Sequence, residues 1–160
     1  MKVTIACVGK MKAGAEKDMF ERYLDRARKA GRSVGITSVS VVELSESRAA
    51  RTQDRKDEEA QLLLNALPSG AILIALDEHG KALSSEVFAK KVGDWADQGT
   101  SDVVLAIGGA DGHGQALLQR ADLKLALGSM TWPHQLVRIM CGEQIYRAIT
   151  ILTGHPYHRV

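Results

Sequence analysis

The sequence predicts an α/β protein with a mostly parallel sheet and helices on both faces. Three observations carry this. Apolar, often β-branched runs alternate with segments of helical periodicity along all 160 residues, and that alternation builds parallel sheets. The run 71–76 (AILIAL) is apolar throughout, as a strand covered on both faces is. Gly9, Gly108 and Gly128 each follow such a run directly, where a strand turns toward a helix.

The elements follow in order. Residues 2–8 (KVTIACV) read as a buried strand closed by Gly9. Residues 15–30 read as an amphipathic helix with Phe20, Tyr23, Leu24 and Ala27 at helical spacing and Gly31 as its stop. Residues 34–44 read as a second strand. Residues 50–66 form a charged helix that ends before Pro68. After strand 71–76, a helix over 84–95 is capped by Ser84 or Ser85, with Phe88, Val92 and Trp95 on one side. Strand 102–107, a short helix at 114–121 and strand 123–127 come next. The last helix starts at Pro133, a good first-turn residue, and runs to about Leu152. Five strands and five helices make one domain over 1–160.

Composition narrows the function. The net charge is 21 − 19 = +2, mild for a protein that grips nucleic acid by charge alone. A nucleic-acid partner would need a local patch, a second subunit or a preformed RNA shape. Aromatics are 4%, too few for a single-strand stacking platform. Arg22, Arg26, Arg28, Lys29 and Arg32 are either a contact strip or a solvated helix face. No stretch approaches the roughly 20 apolar residues of a membrane span. The apolar run Val3 to Val8 meets charge at once and does not read as a signal peptide. Cys7 and Cys141 lie in apolar segments and read as reduced, packed thiols. A cytoplasmic location with no membrane contact and no metal is the expectation.

In open parallel sheets ligands bind at the carboxyl ends of the strands. The segments after 76, 107 and 127 are therefore the candidates. Leu76-Asp77-Glu78-His79-Gly80 is the first. The second, Gly108 to Gly114, holds four glycines in seven residues. It is either a tight turn or a cradle that a ligand meets at backbone distance. It matches neither the dinucleotide fingerprint nor a Walker loop. The third is Gly128-Ser129-Met130-Thr131-Trp132-Pro133-His134. Pro133 keeps Trp132 extended, and extended backbone can pair with the edge of an adenine. An ordinary capped helix start is the alternative.

The final helix places Glu143 four residues before Arg147 on one face, a surface ion pair or part of a site. The tail 154–160 carries His155, Tyr157, His158 and Arg159. It is either a frayed end or a source of proton-transfer or RNA contacts.

Several motifs then occur together: IGGADGH at 107–113, MTWPHQLVR at 130–138, EQIYRA at 143–148, HPYHR at 155–159, LDEHGKALSSEVFA at 76–89 and KVTIACVGKMK at the start. With them the chain resembles, end to end, the bacterial 23S rRNA pseudouridine-N3-methyltransferases, minimal members of the SPOUT superfamily. The resemblance implies a cytoplasmic homodimer and a C-terminal trefoil knot over roughly 102–160. It implies S-adenosylmethionine held by Leu76, Gly109, Gly128, Ser129, Met130, Thr131, Trp132 and Pro133. The implied substrate is a pseudouridine of large-subunit rRNA within the assembled ribosome. Gly128 stands where relatives commonly have Ser, and Trp132 where they commonly have Leu, which puts the shape of the adenine pocket in question.

N3 of the base must lose a proton before it can attack a methyl group. Arg147, Tyr157 and His158 are the candidate catalytic residues. Arg147 stays charged and would hold the developing anion or a phosphate. Tyr157 would stack on the base or hydrogen-bond it. His158 has the side chain suited to proton transfer near neutral pH. Competing readings are a tRNA methyltransferase of the same superfamily, a non-catalytic ribosome-binding or assembly factor, and a nucleotide-binding regulatory domain.

Overall fold

The apolar runs become five strands: β1 (Lys2–Val8), β2 (Ser38–Leu44), β3 (Ile72–Ala82), β4 (Asp102–Ile107) and β5 (Leu123–Ala126). The computed structural model describes residues 1–159; Val160, the end of the tail considered above, lies outside the described residues. The helices are α1 (Ala15–Gly31), α2 (Thr52–Asn65), α3 (Ser85–Asp97), α4 (Gln115–Arg120) and α5 (His134–Leu152). The sheet order is β2-β1-β4-β3-β5 and every pairing is parallel.

Alternating side chains divide the core between two faces. Ile5, Cys7, Leu105 and Ile74 point to one cluster, filled by Phe20 and Leu24 of α1, Phe88 of α3 and Ile145 and Ile149 of α5. Ala6, Ala106, Ala75 and Leu73 point to the other, covered by Ala60 and Leu63 of α2 and Leu117 of α4. Ala6, Ala106 and Ala75 are in register across three strands, a row without bulk beneath the second helix layer. Both cysteines are buried and unpaired, and burial pushes the Cys7 thiol up to about 11. No helix among the described residues is long and apolar enough to cross a membrane.

Two elements depart from the sequence expectation. The strand predicted from residue 34 begins at Ser38, because Arg32–Val34 form a 3₁₀ turn. Gly35 (φ +75°) then takes a left-handed conformation, and Ile36 N–H donates back to the Gly31 carbonyl at 2.9 Å. The segment expected as a loop after residue 76 instead lies inside β3, which runs on to Ala82 with a shift of register against β5 between Leu76 and Lys81. His79 N–H donates to Asp77 Oδ1 at 2.7 Å, tightening the excursion. A Cβ on Gly80 would lie 2.7 Å from Leu125 N, so glycine lets the strand return against β5.

Arg138 positions α5. Its side chain is nearly sealed, yet Nη2 donates to the Val8 and Gly9 carbonyls at 2.9 Å and Nη1 to Glu43 at 2.9 Å. The start of α5 is thereby tied to the carboxyl ends of β1 and β2.

Candidate active site

The carboxyl edge of the sheet holds a cavity of about 380 Å³, the size of a small-molecule site. Its walls come from Leu76 and the Asp77–His79 excursion, from Gly108–His113 and from the segment before α5. Of the residues expected to hold a cofactor, Leu76, Gly109, Gly128, Met130, Thr131 and Trp132 line it. Ser129 and Pro133 belong to the same segment but are not on the wall.

The glycine-rich loop is both a turn and a wall. Gly112 N–H donates to the Gly109 carbonyl at 3.0 Å, with φ +82° at Gly112. Arg55 Nε donates to Asp111 at 2.7 Å and pins the loop to α2. That hydrogen bond holds the Asp111 carboxyl below its ordinary range. Beneath the loop lies Glu59, nearly buried, whose Oε1 accepts from Ser47 N–H at 3.0 Å. A Cβ on Gly109 would collide with this carboxylate.

The third segment bends at Gly128, whose φ of +106° disfavours a side chain. Trp132 Nε1 donates to the Leu127 carbonyl at 3.1 Å and closes the segment on itself. A leucine could not make that bond. Met130 is 71% exposed and forms the open rim. His134, the last residue of the third candidate segment, also reaches the cavity, as does Lys56, which no sequence pattern pointed to. Arg138, four residues after His134, turns inward to the strand ends.

Arg147, Tyr157 and His158 gather elsewhere. Arg147 donates through Nε and Nη2 to Glu143 Oε1 at 2.9 and 2.6 Å. Tyr157 donates to the same oxygen at 3.0 Å, and its ring packs on Tyr146 and under the Arg147 guanidinium. His158 Nδ1 lies 3.2 Å from Arg147 Nη1, and Nε2 lies 2.9 Å from Glu86 Oε1. An arginine only donates, so Nδ1 accepts and Nε2 carries the proton toward Glu86. Tyr157 and His158 are therefore tied to α5 and to the first turn of α3, not frayed. Burial first, then hydrogen bonds with Tyr23 and Glu143, push the Tyr157 phenol well above its ordinary range. Tyr157 stays protonated at neutral pH and serves as a donor, not a base. The Glu143–Arg147 pair is largely buried, with side chains 16% and 26% exposed, unlike an ordinary surface ion pair.

Within one chain the two regions stay apart. None of Arg147, Tyr157 and His158 lines the cavity. His134, on the cavity wall, and Arg147 are 147 − 134 = 13 residues apart on the same helix, about 20 Å at 1.5 Å per residue.

Comparison with known proteins bears on the whole chain. A family model described as predicted SPOUT methyltransferase matches residues 1–158. The ribosomal RNA large subunit methyltransferase H of Rhizobium leguminosarum bv. trifolii (strain WSM2304) is 56% identical over 160 residues, 100% of both chains. That of Rhizobium meliloti (strain 1021) is 57% identical over 159 residues, 99% of each. Among solved structures, the SpoU methyltransferase AviRb from Streptomyces viridochromogenes, in complex with AdoMet, aligns with 96% of this chain and 61% of its own. The TM-score is 0.44 and the identity 11%. With a full-length family match and full-length relatives above half identity, the chain belongs to the SPOUT methyltransferase family.

Proposed function

We propose that this protein methylates large-subunit ribosomal RNA with S-adenosylmethionine as methyl donor, at N3 of a pseudouridine in the assembled ribosome. The observation that carries the reading is the cavity at the carboxyl edge of the sheet, in a chain whose full-length relatives bear the name of an rRNA large subunit methyltransferase. The wall suits such a cofactor. Leu76, Ile107 and Leu127 supply apolar surface, and the segments around Gly109 and Gly128–Trp132 bring backbone groups within reach. When bound, S-adenosylmethionine supplies a methyl group already activated by its sulfonium.

The chain must then position the base and handle its N3 proton. Arg147 holds negative charge that develops on the ring. Tyr157 donates a hydrogen bond or stacks. His158 accepts the proton once the incoming RNA draws Arg147 off Nδ1. The distance of about 20 Å between cavity and tail along α5 favours a homodimer in which one copy's tail works beside the other copy's cofactor. The reading includes a cytoplasmic location and a trefoil knot over roughly 102–160. A folded ribosomal target also suits the net charge of +2, since shape can replace charge in RNA recognition.

The test is transfer of labelled methyl from S-adenosylmethionine to ribosomes lacking the modification, with mass spectrometry of the nucleosides. The expected product is N3-methylpseudouridine in 23S rRNA, formed much faster on ribosomes than on naked rRNA. Bound cofactor without any methylation of rRNA would contradict the reading, and equal rates on both substrates would remove the assembled ribosome from it.

A further inference from the structure

His113 sits in the glycine-rich loop after β4, between Gly112 and Gly114. It is 5% exposed and borders the cavity. Neither ring nitrogen reaches solvent or has a hydrogen-bond partner among the described residues. Buried polar atoms without partners are uncommon and costly. Burial pushes the His113 pKa down, against the opposing pull of the Ala106 and Leu76 carbonyls and the Asp77 carboxylate. The ring is thus neutral, with one N–H donor and one acceptor. The Ala106 and Leu76 carbonyls lie beside the ring, but neither meets a ring nitrogen in hydrogen-bond geometry.

The ring lies against Gly108. Gly108 has no Cβ, and one placed there would lie 3.1 Å from Nδ1. A half-turn about Cβ–Cγ exchanges nitrogen and carbon positions with no change of ring shape, and this torsion is broad in histidine.

We propose that His113 contacts the cofactor, turning its imidazole to hydrogen-bond the uncharged nucleoside half of S-adenosylmethionine. The inference rests on the reading of this cavity as the cofactor site. The nucleoside half is assigned because the ring is neutral and the cavity wall near it, at the ends of β3 and β4, carries Leu76 and Ile107. A neutral donor–acceptor pair beside these apolar side chains suits a neutral partner. A carboxylate or ammonium there would lose its water without gaining an opposite charge.

Calorimetry with S-adenosylhomocysteine and with 5′-methylthioadenosine, which lacks the amino-acid half, tests this on wild type, His113→Leu and His113→Gln. His113→Leu should weaken both ligands about tenfold with a melting temperature no lower than that of wild type. His113→Gln, which keeps a donor and an acceptor, should recover most of the loss. The ¹⁵N resonances of the wild-type His113 ring should move on titration, a readout that needs no variant to fold. Unchanged affinity in His113→Leu together with unmoved resonances would overturn the assignment. A loss for S-adenosylhomocysteine but not for methylthioadenosine would overturn the nucleoside half. Failure of wild type to bind either ligand would instead overturn the reading of the cavity, and this inference with it.

Discussion

The two ends of α5 are built on opposite plans. At its start the cavity brings in backbone at Gly108, Gly109, Gly112 and Gly128 beside apolar side chains such as Leu76 and Ile107. At its far end the tail cluster is all side chains: Glu143, Arg147, Tyr157, His158 and Glu86 joined by hydrogen bonds. Backbone groups are fixed by the fold and suit holding one ligand in one pose. Charged side chains can exchange partners and suit a step in which a proton leaves. In the proposed function binding belongs to the first region and reaction to the second, and each variant below tests that division.

The largest effect is expected from Arg147→Ala, which also frees Glu143 and His158. Methylation should fall about 10²- to 10³-fold, while calorimetry shows cofactor affinity unchanged. A matching loss of affinity would erase the division. Gly109→Val should do the reverse. Its side chain meets the Glu59 carboxylate, so cofactor affinity should drop more than about tenfold, whereas RNA binding measured without cofactor should persist.

Asp111→Asn weakens the link from Arg55 to the loop. A threefold to tenfold rise in the cofactor Kd is expected, with the turnover rate at saturating cofactor retained; the pair is partly exposed and the change correspondingly small. The smallest effect concerns pH. His113 has a folded-state pKa below its ordinary 6.5, so the unfolded chain binds its proton first as pH falls. The contribution is therefore fully present above pH 6.5 and is lost progressively as pH falls through the folded value. Thermal melts across this window should show an acid limb that is shallower in His113→Leu.

Much of this was legible in the sequence for local reasons. β-branched runs and helical periodicity are properties of neighbours, so all five strands and five helices were placed. The candidate cavity segments were legible because a parallel sheet fixes which ends of its strands face the ligand. What stayed hidden depends on distant partners. Asp77 to Gly80 read as a loop because nothing local shows that Gly80 must pass Lys124 and Leu125 in β5. The insertion of β4 between β1 and β3 left no mark in the order of the runs. Tail residues 157–158 looked frayed or functional alike until Glu143 and Glu86, from two helices, fixed them. Lys56 reaches the cavity from α2, and no pattern within that helix distinguishes it from its charged neighbours.

The central claim is that binding and reaction lie in different regions, contributed to each working site by different copies of the chain. Mixed dimers test it most directly. Gly109→Val and Arg147→Ala chains would be unfolded, refolded together and assayed on ribosomes at a cofactor concentration too low to fill the Gly109→Val cavity, where each chain by itself shows little activity. If the tail of one copy serves the cavity of the other, the mixture regains one intact site per mixed dimer and methylates well above the sum of its parents. If both regions serve within one chain, the mixture stays as inactive as the parents, and the two-copy site is wrong.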